Sequence, residues 1–113
     1  MSRPFSHCLV YVTAADAEEA REIGRVLVAA RLAACANVFP GMVPIFRWEG
    51  QIGEGSESVV ILKTTESRVD ALIEAIEAMH SYDCPCALVL PIMGGSQAFL
   101  DWISQETREE APE

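Results

Sequence analysis

SVVILKT, Ser58–Thr64, breaks the pattern of a strand with one wet face. Such a strand alternates polar and apolar residues, yet Val59, Val60, Ile61 and Leu62 are apolar in succession. LVYV (Leu9–Val12) and ALVLPI (Ala87–Ile92) behave in the same way. Strands of this kind predict a sheet buried on both faces, and what covers each face then decides the fold.

Upstream of this run, VPIFRW (Val43–Trp48) reads as a strand and EGQIGEG (Glu49–Gly55) as turn residues. SVVILKT is then expected to return as the second arm of a hairpin. CANVFP (Cys35–Pro40) is extended, with a bulge or bend expected at Pro40 and Gly41. CLVYVT (Cys8–Thr13) is the first strand. Between these two, Ala20, Ile23, Leu27 and Ala30 mark one face of a helix, and Asp16 with Glu19 has capping-box spacing. Downstream, Val69, Leu72, Ile73, Ile76 and Met79 recur at helical intervals. Ser67 with Asp70 offers N-cap chemistry, and Pro85 stops the helix near His80–Asp83. After the strand CALVLPI, residues Phe99, Trp102 and Ile103 predict a short amphipathic helix capped by Ser96. A frayed acidic tail is expected over about 107–113.

The order β-α-β-β-α-β plus a terminal helix predicts an α+β, ferredoxin-like sandwich with an antiparallel sheet and its helices on one face. The other face then has no cover within the chain. A partner subunit in a closed homo-oligomer is the expected cover, with Phe46 and Trp48 on the hairpin arms reaching a neighbour.

Composition agrees. The 113 residues make one domain. Half of them are hydrophobic and the mean hydropathy is +0.20, which is rich for so small a chain. A net charge of −9 speaks against nucleic acid and anionic membrane as partners. No apolar run approaches the roughly 20 residues of a membrane span. MSRPFSHCLVYV lacks signal-peptide architecture, so a cytoplasmic protein is expected, with its four cysteines as thiols.

The chemically richest run is HSYDCPC, His80–Cys86. Each candidate has a plain structural alternative. His80 closes a helix, where an imidazole can simply favour the dipole, but imidazole also suits copper and zinc. Cys84 and Cys86 lie on one strand face, and C-P-C is neither a redox nor a zinc spacing. Tyr82 and Asp83 either shape the turn or line a pocket. Cys35 at a strand entry is a small buried hydrophobe or a thiol for metal or redox chemistry. Lys63 snorkels or reaches a pocket, and Trp48 packs in the hairpin or at an interface. His7 and Cys8 face opposite ways and make a poor chelating pair. There is no G-x-S-x-G, no H-E-x-x-H and no glycine-rich phosphate loop. No enzymatic activity and no organic cofactor are expected.

In order and spacing, VTAADAEEA (Val12–Ala20), RLAACANVFPG (Arg31–Gly41), IFRWEG (Ile45–Gly50), ESVVILKT (Glu57–Thr64), the His80-Tyr82-Asp83-Pro85 segment and the Trp102 helix resemble the CutA divalent-cation-tolerance family. The resemblance runs from about Leu9 to about Ile103. It implies a ferredoxin-like fold, a tight homotrimer with sheets around a central axis, and a role in tolerance to copper and other divalent metals. It also implies a site. The cysteine of the family's AACxN element matches Cys35, with Asn37 in place. The family's His-Pro-Tyr-Glu-Val-Pro-Glu segment matches His80–Cys86, keeping His80, Tyr82 and Pro85, with Asp83 a shorter carboxylate. Ser81 and Cys84 depart from it, and Cys86 stands where glutamate is usual. A thiolate there favours Cu(I) or Zn(II) over harder ions. Cys35, His80 and Cys86 are therefore the expected ligands of copper or another divalent metal, with Tyr82, Asp83, Lys63 and Trp48 lining the pocket. The fold also resembles trimeric PII signalling proteins, which keeps open a metabolite sensor with its ligand at subunit clefts.

Overall fold

The structure is a computed structural model describing residues 3–109. Its centre is β1 (His7–Ala14), which pairs antiparallel with β5 (Glu57–Thr65) on one side and β6 (Ala87–Pro91) on the other. β2 (Cys35–Met42) joins β5, so the sheet order is β2-β5-β1-β6. The two long connections carry α1 (Ala17–Ala29) and α2 (Val69–Met79), and α3 (Gln97–Glu106) follows β6. The α+β class, the antiparallel sheet and the C-terminal helix are as the sequence implied.

The burial of β1 explains the arrangement. Cys8, Val10, Val12 and Ala14 are fully buried, while the residues between them are half-buried. Their partners are Ala20, Ile23 and Leu27 of α1 and Leu72 and Ile76 of α2. Each such Leu or Ile contributes about 1.5–3 kcal/mol on leaving water. Period-2 and period-3.6 patterns thus meet in one core on one face of the sheet.

The other face is also apolar. Leu9, Tyr11 and Ile61 are half-buried on it, and Phe39 and Leu88 are exposed at 52% and 59%. α3 covers only the end where β1 begins. There His7 Nε2 lies 2.8 Å from Ser104 Oγ, Thr65 Oγ1 lies 3.2 Å from Thr107 Oγ1, and Ile103 is buried.

The expected hairpin is a correction. β3 (Ile45–Trp48) pairs not with Ser58–Thr64 but with β4 (Gln51–Glu54). Most of the run that reads as a turn is therefore strand, because two residues suffice to reverse the chain. Glu49 and Gly50 have φ of 49° and 78°, the left-handed pair that matches strand twist in a tight hairpin. β5 instead crosses to β2 and β1. The irregularity expected at Pro40 and Gly41 is present: the β2–β5 register shifts between Phe39 and Met42. The β3–β4 ribbon exposes Ile45, Trp48 and Ile52, the last two at about 70%. Two-stranded ribbons are marginal alone in water.

Helix ends follow local chemistry in part. Asp16 Oδ1 accepts from Glu19 N–H at 2.8 Å, and Glu19 Oε1 accepts from Ala15 N–H at 2.9 Å. The box closes one residue before the usual position. α1 ends with Arg31 at φ 61°, and bonds from Arg31 N–H to Val28 O and Leu32 N–H to Leu27 O complete a Schellman turn. Arg31 holds this glycine-like conformation while its guanidinium donates to Glu106 O at 3.0 Å. Ser67 does not cap α2: a 3₁₀ turn, Glu66–Arg68, precedes it, and Arg68 at the cap position makes no side-chain bond to the helix end. Ser96 stands at the α3 cap, also without a side-chain bond. Thr107, expected in the frayed tail, is buried and donates to Ile103 O at 2.7 Å. Residues 110–113 of that tail lie outside the described residues.

Gly24 sets the distance between α1 and β2. A Cβ there would sit 2.9 Å from Ala36 Cβ, an atom fixed to the strand backbone. Gly24→Val should destabilise the protein by about 2 kcal/mol or more through overpacking, although glycine is the poorer helix former by a few tenths of a kcal/mol. Urea denaturation at fixed protein concentration measures it, and an unchanged midpoint would refute the close approach.

Candidate functional site

α2 stops at Met79 because His80 turns extended, with φ −75° and ψ 146°. That turn drives its imidazole inward, and the side chain is fully buried. Nε2 lies 2.7 Å from Thr13 O, and Nδ1 lies 3.0 Å from Tyr82 N. A carbonyl only accepts and an amide only donates. The bonds therefore assign the neutral tautomer, with its proton on Nε2 and its Nδ1 lone pair engaged by Tyr82. Both ring nitrogens are committed to backbone. The sequence placed His80 at the helix terminus as a cap or a ligand. Its cap position is right, but the ring serves the end of β1 rather than the helix dipole.

Glu19 completes this corner. Besides capping α1, its carboxylate accepts from Ser81 N–H at 2.8 Å and Ser81 Oγ–H at 3.0 Å, and it stands 3.8 Å from His80 Nδ1. Burial alone would push the Glu19 carboxyl up. The bonds from Ala15 and Ser81 outweigh it and hold the group below its ordinary value near 4.5. Tyr82 packs on the His80 ring at 4.7 Å between centroids and donates to Glu57 Oε2 at 2.6 Å. Burial, then that carboxylate, pushes the phenol up to about 12. It is a neutral donor under all ordinary conditions. The network thus ties α1, β1, the loop after α2 and the start of β5 together. A groove of about 420 Å³ runs beside it, bordered by Asp16, Glu18, Glu19 and Glu22.

Cys35 lies elsewhere. It opens β2 opposite Lys63, which in turn faces Leu9. His80 meets β1 at Thr13, four residues further along, or about 13 Å at strand rise, and two strand spacings of about 5 Å separate β2 from β1. Within one chain Cys35 and His80 cannot share an ion at the roughly 2.0–2.3 Å that a ligand needs. Cys86 is half-buried just before β6, while Cys84 and Asp83 are exposed. Among the described residues no three His, Cys, Asp or Glu side chains are placed to hold a metal. Of the expected pocket residues, Tyr82 joins His80. Lys63 joins Cys35 and sets its Nζ 5.3 Å from the centre of the Phe99 ring. Trp48 stands alone on the β3–β4 ribbon. Cys8 is buried in the core, and burial pushes its thiol up to about 11, which removes it from thiolate chemistry.

A wider groove of about 700 Å³ follows the outer edge of β2. Cys35, Ala36 and Val38 form its floor, Arg21 and Arg25 of α1 one rim, and Trp102 the other.

Sequence reasoning missed Glu57, Thr13 and Ser81 as members of the His80 network. It found Glu19 only as a cap. The capping-box spacing carried the first role of Glu19; nothing local carried the second, because its partner is Ser81, distant in sequence.

Residues 8–106 match the family described as CutA1 divalent ion tolerance protein. The chain is 40% identical over 101 residues to Protein CutA 1, chloroplastic, of Oryza sativa subsp. japonica, covering 89% of this chain and 57% of that one. The chain therefore spans little more than half of that relative's length. It is 39% identical to the divalent-cation tolerance protein CutA of Thermus thermophilus over 88% of this chain and 96% of that one. The crystal structure of CutA1 from Oryza sativa superposes with a TM-score of 0.89 at 38% identity, over 94% of this chain and 97% of that chain.

The depressed Glu19 carboxyl makes stability depend on pH. The folded state binds this proton less readily than the unfolded state. The contribution is therefore fully present above the unfolded value near 4.5 and is lost as pH falls through the lower folded value. Glu19→Gln should be less stable than wild type at neutral pH and lose stability less steeply between about pH 5 and pH 3. Urea midpoints across that range test this; parallel slopes for both proteins would exclude the network as its source.

Proposed function

Because the chain belongs to the CutA1 divalent ion tolerance family, we propose that it acts without catalysis, as a homotrimer in the response to divalent metal ions. The observation that carries this reading is the incompleteness of the single chain. Among the described residues, one sheet face is apolar and only partly covered by α3, the β2 and β6 edges are unpaired, and the β3–β4 ribbon exposes Trp48 and Ile52. Exposed sheet edges and apolar patches of this kind call for a partner. A closed ring is built from heterologous contacts, and these would set the β2 edge of one copy against the β6 edge of the next.

Such a ring also bears on the metal. Cys35 opens one edge strand and Cys86 precedes the other, so a subunit boundary is where these two thiols can meet. Thiolates favour Cu(I) and Zn(II). In this reading His80 orders the loop that carries Cys86, through the Tyr82 amide, and donates no electron pair to the ion. A cytoplasmic location belongs to the same proposal; four free cysteines support a reducing compartment.

The groove along β2 favours a second reading. Arg21 and Arg25 beside Trp102 would suit an anionic metabolite held in a cleft between copies, as in a small-molecule sensor. A thermal-shift screen of nucleotides and organic anions addresses it, and no shift with any compound would count against it.

Light scattering at micromolar concentration should give a mass near three times the 12.3 kDa chain, and a monomer would remove the basis of the proposal. Isothermal titration with Cu(I) and Zn(II) should show binding by wild type that weakens at least tenfold in both Cys35→Ala and Cys86→Ala. Binding equal to wild type by either variant would take that thiol out of the site.

A further inference from the structure

A small polar cavity lies at the junction of the β5 end, the 3₁₀ turn before α2 and the last turn of α3, away from His80 and from the β2 groove. Its volume is about 220 Å³. It is lined by four hydroxyl residues, Thr65, Ser67, Ser104 and Thr107, and by two arginines, Arg68 and Arg108. From this convergence we propose a binding site for a tetrahedral oxyanion, the phosphate group of inorganic phosphate or of a small phosphate monoester.

Arg68 Nε donates to Arg31 O at 3.2 Å, which fixes the guanidinium. Arg108 Nε reaches Gln105 O at 3.4 Å. Neither arginine has a carboxylate partner among the described residues, and the terminal nitrogens of both are unengaged there. Two guanidinium groups against the single Glu109 carboxylate give the cavity lining a positive balance in a chain of net charge −9. Phosphate geometry matches the planar guanidinium fork. Thr107 Oγ1 gives its proton to Ile103 O, so it braces the wall. Thr65 Oγ1 in turn donates to Thr107 Oγ1 at 3.2 Å, so of the pair Thr65 and Ser67, 3.4 Å apart, Ser67 is the one that can rotate its proton outward. Ser104 Oγ can do the same when His7 Nε2 is its donor, at 2.8 Å. Glu109 is the one carboxylate bordering the cavity among the described residues, and it is the group an incoming anion must tolerate or displace.

The location gives the site a structural consequence. Its walls come from α3 and from the strand that α3 leans on, so an anion there would clamp the helix to the sheet. This proposal is independent of the metal reading. It uses none of Cys35, His80 or Cys86, and either can fail alone.

The test is the unfolding midpoint of the full chain in increasing inorganic phosphate, against sodium chloride of matched ionic strength at neutral pH. A saturable rise in phosphate alone is expected. Arg108→Gln and Ser104→Ala should each shift the phosphate titration to higher concentration, the arginine variant by about tenfold for a lost charge-assisted bond. Glu109→Gln should shift it to lower concentration. Glycerol phosphate in place of phosphate separates the two sources: the one that saturates at lower concentration is the natural class. A midpoint that follows ionic strength alone, or the same phosphate titration for wild type and Arg108→Gln, would overturn the site.

Discussion

A four-stranded sheet has two faces and two edges, and the two crossover helices of this chain can cover only one face. Everything else in the structure follows from that shortage of cover. β1 sits in the middle because its alternating residues, Cys8 to Ala14, are the most completely buried, and α1 and α2 close over them. α3 takes up part of the second face, at the end marked by His7 and Thr65. Phe39, Leu88 and Leu90 remain about half exposed in the described chain. Apolar side chains left in water cost roughly 25 cal/mol for each Å² exposed, so the incomplete cover of this face is unfavourable.

The His80 corner shows a second economy of means. One fully buried imidazole accepts the Tyr82 amide and donates to the Thr13 carbonyl. It thereby satisfies two backbone groups that a loop packed against a strand end would otherwise orphan, and such orphans are costly. Glu19 does the same for Ala15 and Ser81. A side chain so engaged is poorly suited to metal ligation. Cys35, Cys86 and the arginines of the β2 groove have more chemical freedom than His80.

Much of the fold could be read locally. The helical spacing of Ile23 and Leu27, of Leu72 and Ile76, and the apolar runs of β1, β5 and β6 are statements about neighbouring residues, and the structure repeats them. The unbroken run Val59–Leu62 also announced a second apolar face. The β3–β4 ribbon was not legible, because Gln51, Gly53 and Glu54 carry turn chemistry and become strand only by pairing with Ile45–Trp48. Ser67 looked like a cap, but a 3₁₀ turn displaced the start of α2 to Val69.

The candidate residues divide along the same line. The sequence alone determined which side chains could do chemistry, since the identity of Cys35, His80, Tyr82 and Cys86 needs no coordinates, and it put Cys35 at a strand entry and His80 at a helix end, while Cys86, expected on the last strand, lies just before β6. Only the tertiary structure decided which of them meet. It set Tyr82 on Glu57, His80 on Thr13 and Cys35 beside Lys63, and it held Cys35 away from His80. The reason is that strand register and sheet order fix distances between residues far apart in the chain, and hydrogen bonds fix which lone pairs remain free; neither is encoded at a single position.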